Sequence, residues 1–158
     1  MVRLLGDHGA MSETFETYDA RVAEGLLAAH ERDAGLPGWL GIRPLEVGPG
    51  TMKATLPVRP ELLTPFGNLH GGVLAALCDH VLGTVCYPVI PRGAWAATTE
   101  FKLNYLAPVT DGDLEATATI VALSKRTAVV RIEVVNDGRI VCAAQGTVLV
   151  VPPKPDRT

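Results

Sequence analysis

The sequence predicts an α+β domain in which a curved antiparallel sheet of about six strands wraps one long apolar helix. Three observations predict it. The run from Gly71 to Tyr87 is apolar on nearly every side, short alternating segments precede it, and long β-rich segments follow it. A helix that is apolar all round must be covered by the rest of its own protein, and strands on both sequence flanks supply the cover.

The elements follow in order. Residues 1–11 carry no periodic pattern and read as a loose leader. The pattern turns helical at Ser12, with Glu13 and Glu16 suited to a helix start and Phe15, Val22, Leu26 and Leu27 recurring at helical spacing. Gly35-Leu36-Pro37-Gly38 stops it, so an amphipathic N-terminal helix is expected over about 12–34. Gly48-Pro49-Gly50 then separates two short runs, and Met52, Ala54 and Leu56 alternate with Lys53 and Thr55, which reads as a hairpin. Residues 59–69 form a Pro- and Gly-rich loop, and Pro88 and Pro91 end the apolar helix. After Gly93 come residues 94–109, 113–126 and 127–151; the last segment folds into two strands at Asn136-Asp137-Gly138. Residues 12–151 therefore read as a single domain, and 152–158 as a flexible tail.

With 158 residues, 47% of them hydrophobic and 20% charged, the chain can build one core but not two. A net charge of -3 gives no basic field, which argues against nucleic acid and anionic membrane as partners; phosphate-bearing ligands must be met by a local patch. No run reaches the roughly 20 apolar residues of a spanning helix, and the N-terminus lacks the features of a signal peptide, so the cytoplasm is the expected location. Cys78 and Cys86 lie eight residues apart, about 12 Å along a helix and beyond disulfide reach, with Cys142 left over. Reduced, buried thiols and no metal site are expected.

The stretch Gly67-Asn68-Leu69-His70-Gly71-Gly72 opens the central helix. A helix N-terminus presents unpaired N–H groups and a partial positive charge, and glycines let an oxygen approach them without a clashing Cβ. That is the geometry of an oxyanion site, although a glycine pair equally suits a tight helix entrance. His70 fits a capping role as well as a base. Asp79, between Leu77-Cys78 and Val81-Leu82, is the sole carboxylate of the helix. In a helix expected to be buried it must be paired, protonated, or face a cavity or interface. Gly72 and Asp79 are seven residues apart, hence about 10 Å along the axis, too far to act on one carbonyl from the same chain. If both act on one atom, they come from two subunits, as a two-fold dimer with antiparallel helices would allow.

These residues resemble the hotdog-fold acyl-CoA thioesterases of the phenylacetate-pathway, PaaI-like type. The resemblance rests on Gly67-Asn68-Leu69-His70-Gly71-Gly72, the nine-residue step from His70 to Asp79, Gly83, and the strand from Thr98 to Pro108, and it covers roughly residues 38–151. It implies hydrolysis of acyl-CoA thioesters without a metal or added cofactor, coenzyme A being part of the substrate. It also implies homodimers with a continuous sheet, often paired into homotetramers. By the same resemblance Asp79 is the nucleophile or general base, Gly72 or the adjacent Gly71 polarises the thioester carbonyl, and Thr98 helps hold the attacking water. Members often carry Asn six residues before the His, where this chain has Thr64; either Thr64 takes that place or Asn68 does. Lys125 and Arg126 in a turn, and Arg92, are candidates for the CoA phosphates, though turn charges are commonly just solvated. Leu62, Leu63, Phe66, Leu82 and Val85 are the expected lining of an acyl pocket. A non-catalytic acyl-CoA binder of the same fold is the alternative, and acyl-chain identity stays open.

Overall fold

The computed structural model describes residues 15, 17–29 and 35–153. The leader at 1–11, the start at Ser12 and the last residues, 30–34, of the expected helix, and residues 154–158 of the expected tail at 152–158 lie outside the described residues. The described elements are α1 (Ala20–Leu27), α2 (Gly35–Leu40), β1 (Arg43–Gly48), β2 (Thr51–Pro57), α3 (Gly71–Thr84), β3 (Trp95–Tyr105), β4 (Asp113–Leu123), β5 (Thr127–Asn136) and β6 (Arg139–Val151). The six strands form one antiparallel sheet in the order β1-β2-β4-β5-β6-β3.

The hairpins form where turn chemistry demands. Asp137 and Gly138 have φ of 49° and 73°, the paired left-handed residues of a tight turn whose twist matches its strands. Register shifts at Pro44/Glu46, Thr98/Glu100, Ile120/Ala122 and Val134/Val135 mark extra residues that bend their strands. Such bends curl the sheet around α3. Alternate residues of β2, β4 and β5 point inward: Met52, Ala54, Leu56, Leu114, Ala116, Ala118, Val130, Ile132 and Val134 are all buried. They meet Leu74, Leu77, Cys78, Val81 and Leu82 of α3. Gly146 leaves no room for a side chain, since a Cβ there would lie 2.5 Å from both Leu82 Cδ1 and Phe101 Cβ.

The stretch Gly71–Val89 is 19 residues with a mean hydropathy of 1.4, long and apolar enough by composition to cross a membrane. That run is longer and more apolar than the sequence analysis expects. The sheet accounts for its apolarity, because 67% of it is buried inside the molecule. The three cysteines are free and buried. Burial pushes the Cys86 thiol up to about 12, and Cys78 is held far above its ordinary value because its thiol donates a hydrogen bond to Cys142 and because it is buried.

The N-terminal region departs from expectation. Thr17–Asp19 are not helical, and α1 starts at Ala20, capped by Asp19. The Asp19 carboxylate accepts from the N–H groups of Arg21 (3.0 Å) and Val22 (3.3 Å). Asp19 is also fixed from outside, by its N–H donating to Pro88 O (2.7 Å) and by its ion pair with Arg92 (2.7 Å). Gly35-Leu36-Pro37-Gly38, expected as a stop, instead opens α2. Pro37 is tolerated there because the first turn of a helix has no use for its missing N–H.

Candidate active site

Helix α3 is covered on one side only. Gly72 and Asp79 are exposed, and Ala75, Ala76, His80 and Gly83 between and beside them are half-buried, so the positions at helical spacing from Gly72 to Gly83 form one uncovered stripe. Asp79 therefore does not sit in the core, which corrects the expectation of a buried acid. A window scan of α3 reads apolar all round because its open face is built from glycine and alanine. The acid stands on that face, with no side-chain partner among the described residues.

His80 lies partly beneath the same face. Burial holds its imidazole below the ordinary histidine value, with the neighbouring Asp79 charge offsetting part of the effect. It stays neutral near pH 7 and diverges from Asp79, as adjacent residues on a helix must.

The helix entrance is organised by two side chains, His70 and Tyr105. His70 is the N-cap, in extended conformation with φ -66° and ψ 129°, and its Nδ1 accepts from Gly72 N–H at 2.9 Å. The ring is therefore an acceptor there, and Gly72 N–H is occupied. Gly71 N–H, at the first helical position, makes no hydrogen bond among the described residues. The sequence favours Gly72 over the adjacent Gly71, whereas the open donor among the described residues is on Gly71. Tyr105, the last residue of β3, donates its hydroxyl to Gly71 O at 3.1 Å. A Cβ built on Gly71 would stand 3.0 Å from the Tyr105 hydroxyl oxygen, so the glycine is what admits the phenol. Tyr105 was read from sequence only as a strand residue. Its one cue is its place at the strand end, and nothing local says that this end meets the helix entrance 34 residues back.

Thr64 and Asn68, the two candidates for one place in the site, are hydrogen-bonded to each other. Thr64 Oγ1 donates to Asn68 Oδ1 (3.1 Å) and accepts from Phe66 N–H (3.3 Å), while Thr64 N–H donates to Asn68 O (2.7 Å). Together with the Leu63–Leu69 bridge these bonds close the loop that delivers His70 to its capping position. A recess of about 390 Å³ lies beside Gly71, lined by Asn68, Leu69, Leu74, Tyr105, Leu106 and Val109. The expected acyl lining fares differently. Leu62, Leu82 and Val85 are packed into the core, Leu63 is half-buried, and Phe66 stands 93% exposed at the loop tip.

Thr98 is half-buried on the inner face of β3, in register with buried Val148, and its hydroxyl has no partner among the described residues. Lys125 and Arg126 are exposed in the β4–β5 turn, which Ser124 closes by accepting from Arg126 N–H (3.2 Å) and Thr127 N–H (3.0 Å). Neither charge makes an ion pair among the described residues. Arg92 does: its guanidinium is engaged with Asp19, whose carboxyl it holds below the usual range. Arg92 is thus the one of the three candidate cations that already has a carboxylate partner among the described residues.

Comparison with known proteins gives this geometry a context. The family model of the thioesterase superfamily matches residues 66–143, which contain the His-Gly-Gly entrance, Asp79 and β3–β5. A Halobacterium salinarum protein provisionally named an esterase is 31% identical over 124 residues, covering 75% of this chain and 82% of its own. The 1,4-dihydroxy-2-naphthoyl-CoA hydrolase of Escherichia coli is 26% identical over 120 residues, covering 75% of this chain and 88% of its own. Among solved structures, the PaaI protein of the E. coli phenylacetic acid degradation operon superposes with a TM-score of 0.76 at 25% identity, covering 84% of this chain and 96% of that one. Fold, helix entrance and relatives agree: the chain belongs to the thioesterase superfamily and is a PaaI-like hotdog thioester hydrolase.

Proposed function

We propose that the protein hydrolyses acyl-CoA thioesters at a site made by two copies of the chain, with Gly71 of one and Asp79 of the other. The observation that carries this reading is the uncovered face of α3, where a carboxylate and an open helix-start N–H share an otherwise inert stripe. Gly71 and Asp79 are eight residues apart, hence about 12 Å along the axis, so they cannot meet on one carbonyl within a chain. Two α3 helices packed antiparallel through their open faces bring each Asp79 to the other's Gly71. The edge strand β3, eleven residues long with one side unpaired, supports the same arrangement by offering a sheet edge to a second copy. Pairing of such dimers into a tetramer belongs to this proposal.

In the composite site Gly71 N–H donates to the thioester carbonyl oxygen and stabilises the oxyanion that develops on it. The Asp79 carboxylate supplies the electron pair, either by attacking the carbonyl carbon or by taking a proton from the attacking water. Thr98 has a free hydroxyl to hold that water. The CoA thiolate leaves in either route, and the acid is released with one water consumed. Lys125 and Arg126 meet the CoA phosphates as unpaired cations. No added cofactor or metal is called for by these roles. The E. coli hydrolase among the relatives acts on an aromatic acyl-CoA, which makes aromatic thioesters the first substrates to try.

The test is a panel of aromatic and aliphatic acyl-CoAs assayed by thiol release, with Asp79→Ala beside the wild type. The proposal expects turnover of at least one member and its loss in the variant. Equal rates in both would refute the role of Asp79. Binding without turnover across the panel would favour a non-catalytic acyl-CoA binder.

A further inference from the structure

Two consecutive glycines at the start of a helix form a poorly self-supporting backbone, because they lose the most conformational freedom on ordering and the N–H groups of the first turn lack internal partners. An oxyanion donor, by contrast, works only if it is aimed before the charge develops. The structure resolves this conflict from outside the glycines. The peptide unit joining Gly71 and Gly72 is gripped at both ends: His70 Nδ1 accepts its N–H at 2.9 Å, and the Tyr105 hydroxyl donates to its carbonyl at 3.1 Å. The Tyr105 ring also lies over Gly71 so closely that even a methyl group there would press on it at 3.0 Å.

From this clamp we infer that Tyr105 is a positioning residue for thioester hydrolysis, holding Gly71 so that its free N–H points to the substrate oxygen. The inference rests on the composite-site reading above. Tyr105 is 58% exposed, so its ring is not there to fill the core. Its hydroxyl acts through Gly71, as a second donor to a carbonyl that also accepts within the helix, and the phenyl ring alone would withdraw that outside hold.

Tyr105→Phe isolates the hydroxyl while keeping the ring. Removing an oxyanion donor outright costs about 10²–10³ in kcat, and losing a group that merely aims one is expected to lower kcat about tenfold. KM should stay within about twofold, since the hydroxyl is engaged with backbone rather than substrate, and melting and sedimentation should match wild type. A second readout needs no substrate. In protein carrying ¹³C-carbonyl and ¹⁵N glycine, loss of the hydroxyl should move the Gly71 carbonyl resonance upfield and speed exchange of the Gly72 amide proton. An unchanged kcat, or an unmoved carbonyl resonance, overturns the inference. Asp79→Asn assayed alongside separates the two ideas. If it is inactive while Tyr105→Phe is fully active, only the role of Tyr105 falls. If Asp79→Asn is as active as wild type, the composite site falls and takes that role with it.

Discussion

The two faces of α3 differ in everything except helical geometry. Toward the sheet stand Leu74, Leu77, Cys78, Val81 and Leu82, four of the five with no exposure at all. Away from it run Gly72, Ala75, Ala76, Asp79 and Gly83, small side chains and one acid. The covered face holds the fold together, and its residues are interchangeable only with others of the same volume. The open face contributes little to the stability of a single chain, so the carboxylate on it needs no compensating partner there. Fold and chemistry are thus carried by opposite sides of one helix, and substitutions on the two sides should fail in different assays.

The largest effect is expected at Asp79. Asp79→Asn should lower kcat by about 10³-fold or more while leaving the melting temperature near that of wild type, because an exposed residue is replaced by its isostere. A large fall in stability would erase the contrast between the faces. Gly71→Pro should come next, with a loss of about 10²–10³ in kcat, because proline removes the N–H itself. The first helical position favours proline, and His70 already has the extended conformation that a following proline requires. The Tyr105 ring, being exposed, can yield to the new ring, so the chain should fold.

On the covered face Leu77→Ala should destabilise the protein by about 2–5 kcal/mol in denaturant unfolding, leaving a cavity the sheet cannot fill. Activity per folded molecule should survive. The smallest effect is one of pH. His80 is held below its ordinary value of 6.5, so below that pH the unfolded chain takes up a proton that the folded chain refuses. Stability should therefore be unaffected above the ordinary value and fall as pH drops from it toward the lowered folded value. Denaturation midpoints at pH 7.5 and 5.5 should differ more for wild type than for His80→Gln, and equal differences would show that His80 is not responsible.

Much of the fold was legible because it rests on period and punctuation. The apolar run from Gly71, the hairpin at Gly48-Pro49-Gly50 and the turn at Asn136-Asp137-Gly138 all announce themselves locally. What escaped depends on contacts between distant residues. The N-terminal helix begins at Ala20 because Asp19 is tied to Pro88 and Arg92, and no local pattern shows this. The same ion pair gives Arg92 a partner that Lys125 and Arg126 lack among the described residues. The open face of α3 was invisible because glycine and alanine count as apolar wherever they lie. Telling Gly71 from Gly72 needed a hydrogen bond donated to a histidine ring, and Tyr105 reaches the site only through the closing of β3 against β6. The Thr64–Asn68 pair likewise became one unit only once the loop between them was seen to close.

The central claim is that each site takes its oxyanion donor from one chain and its acid from another, and hybrid dimers test it most directly. Two inactive chains, Asp79→Asn and Gly71→Pro, would be co-expressed with different tags and the hybrid isolated through both. Every hybrid then holds one site with Gly71 and Asp79 both intact and one site lacking both. The account predicts about half of wild-type kcat per dimer in the hybrid, with little activity in either parent. A hybrid no more active than its parents would place each site within a single chain and contradict it.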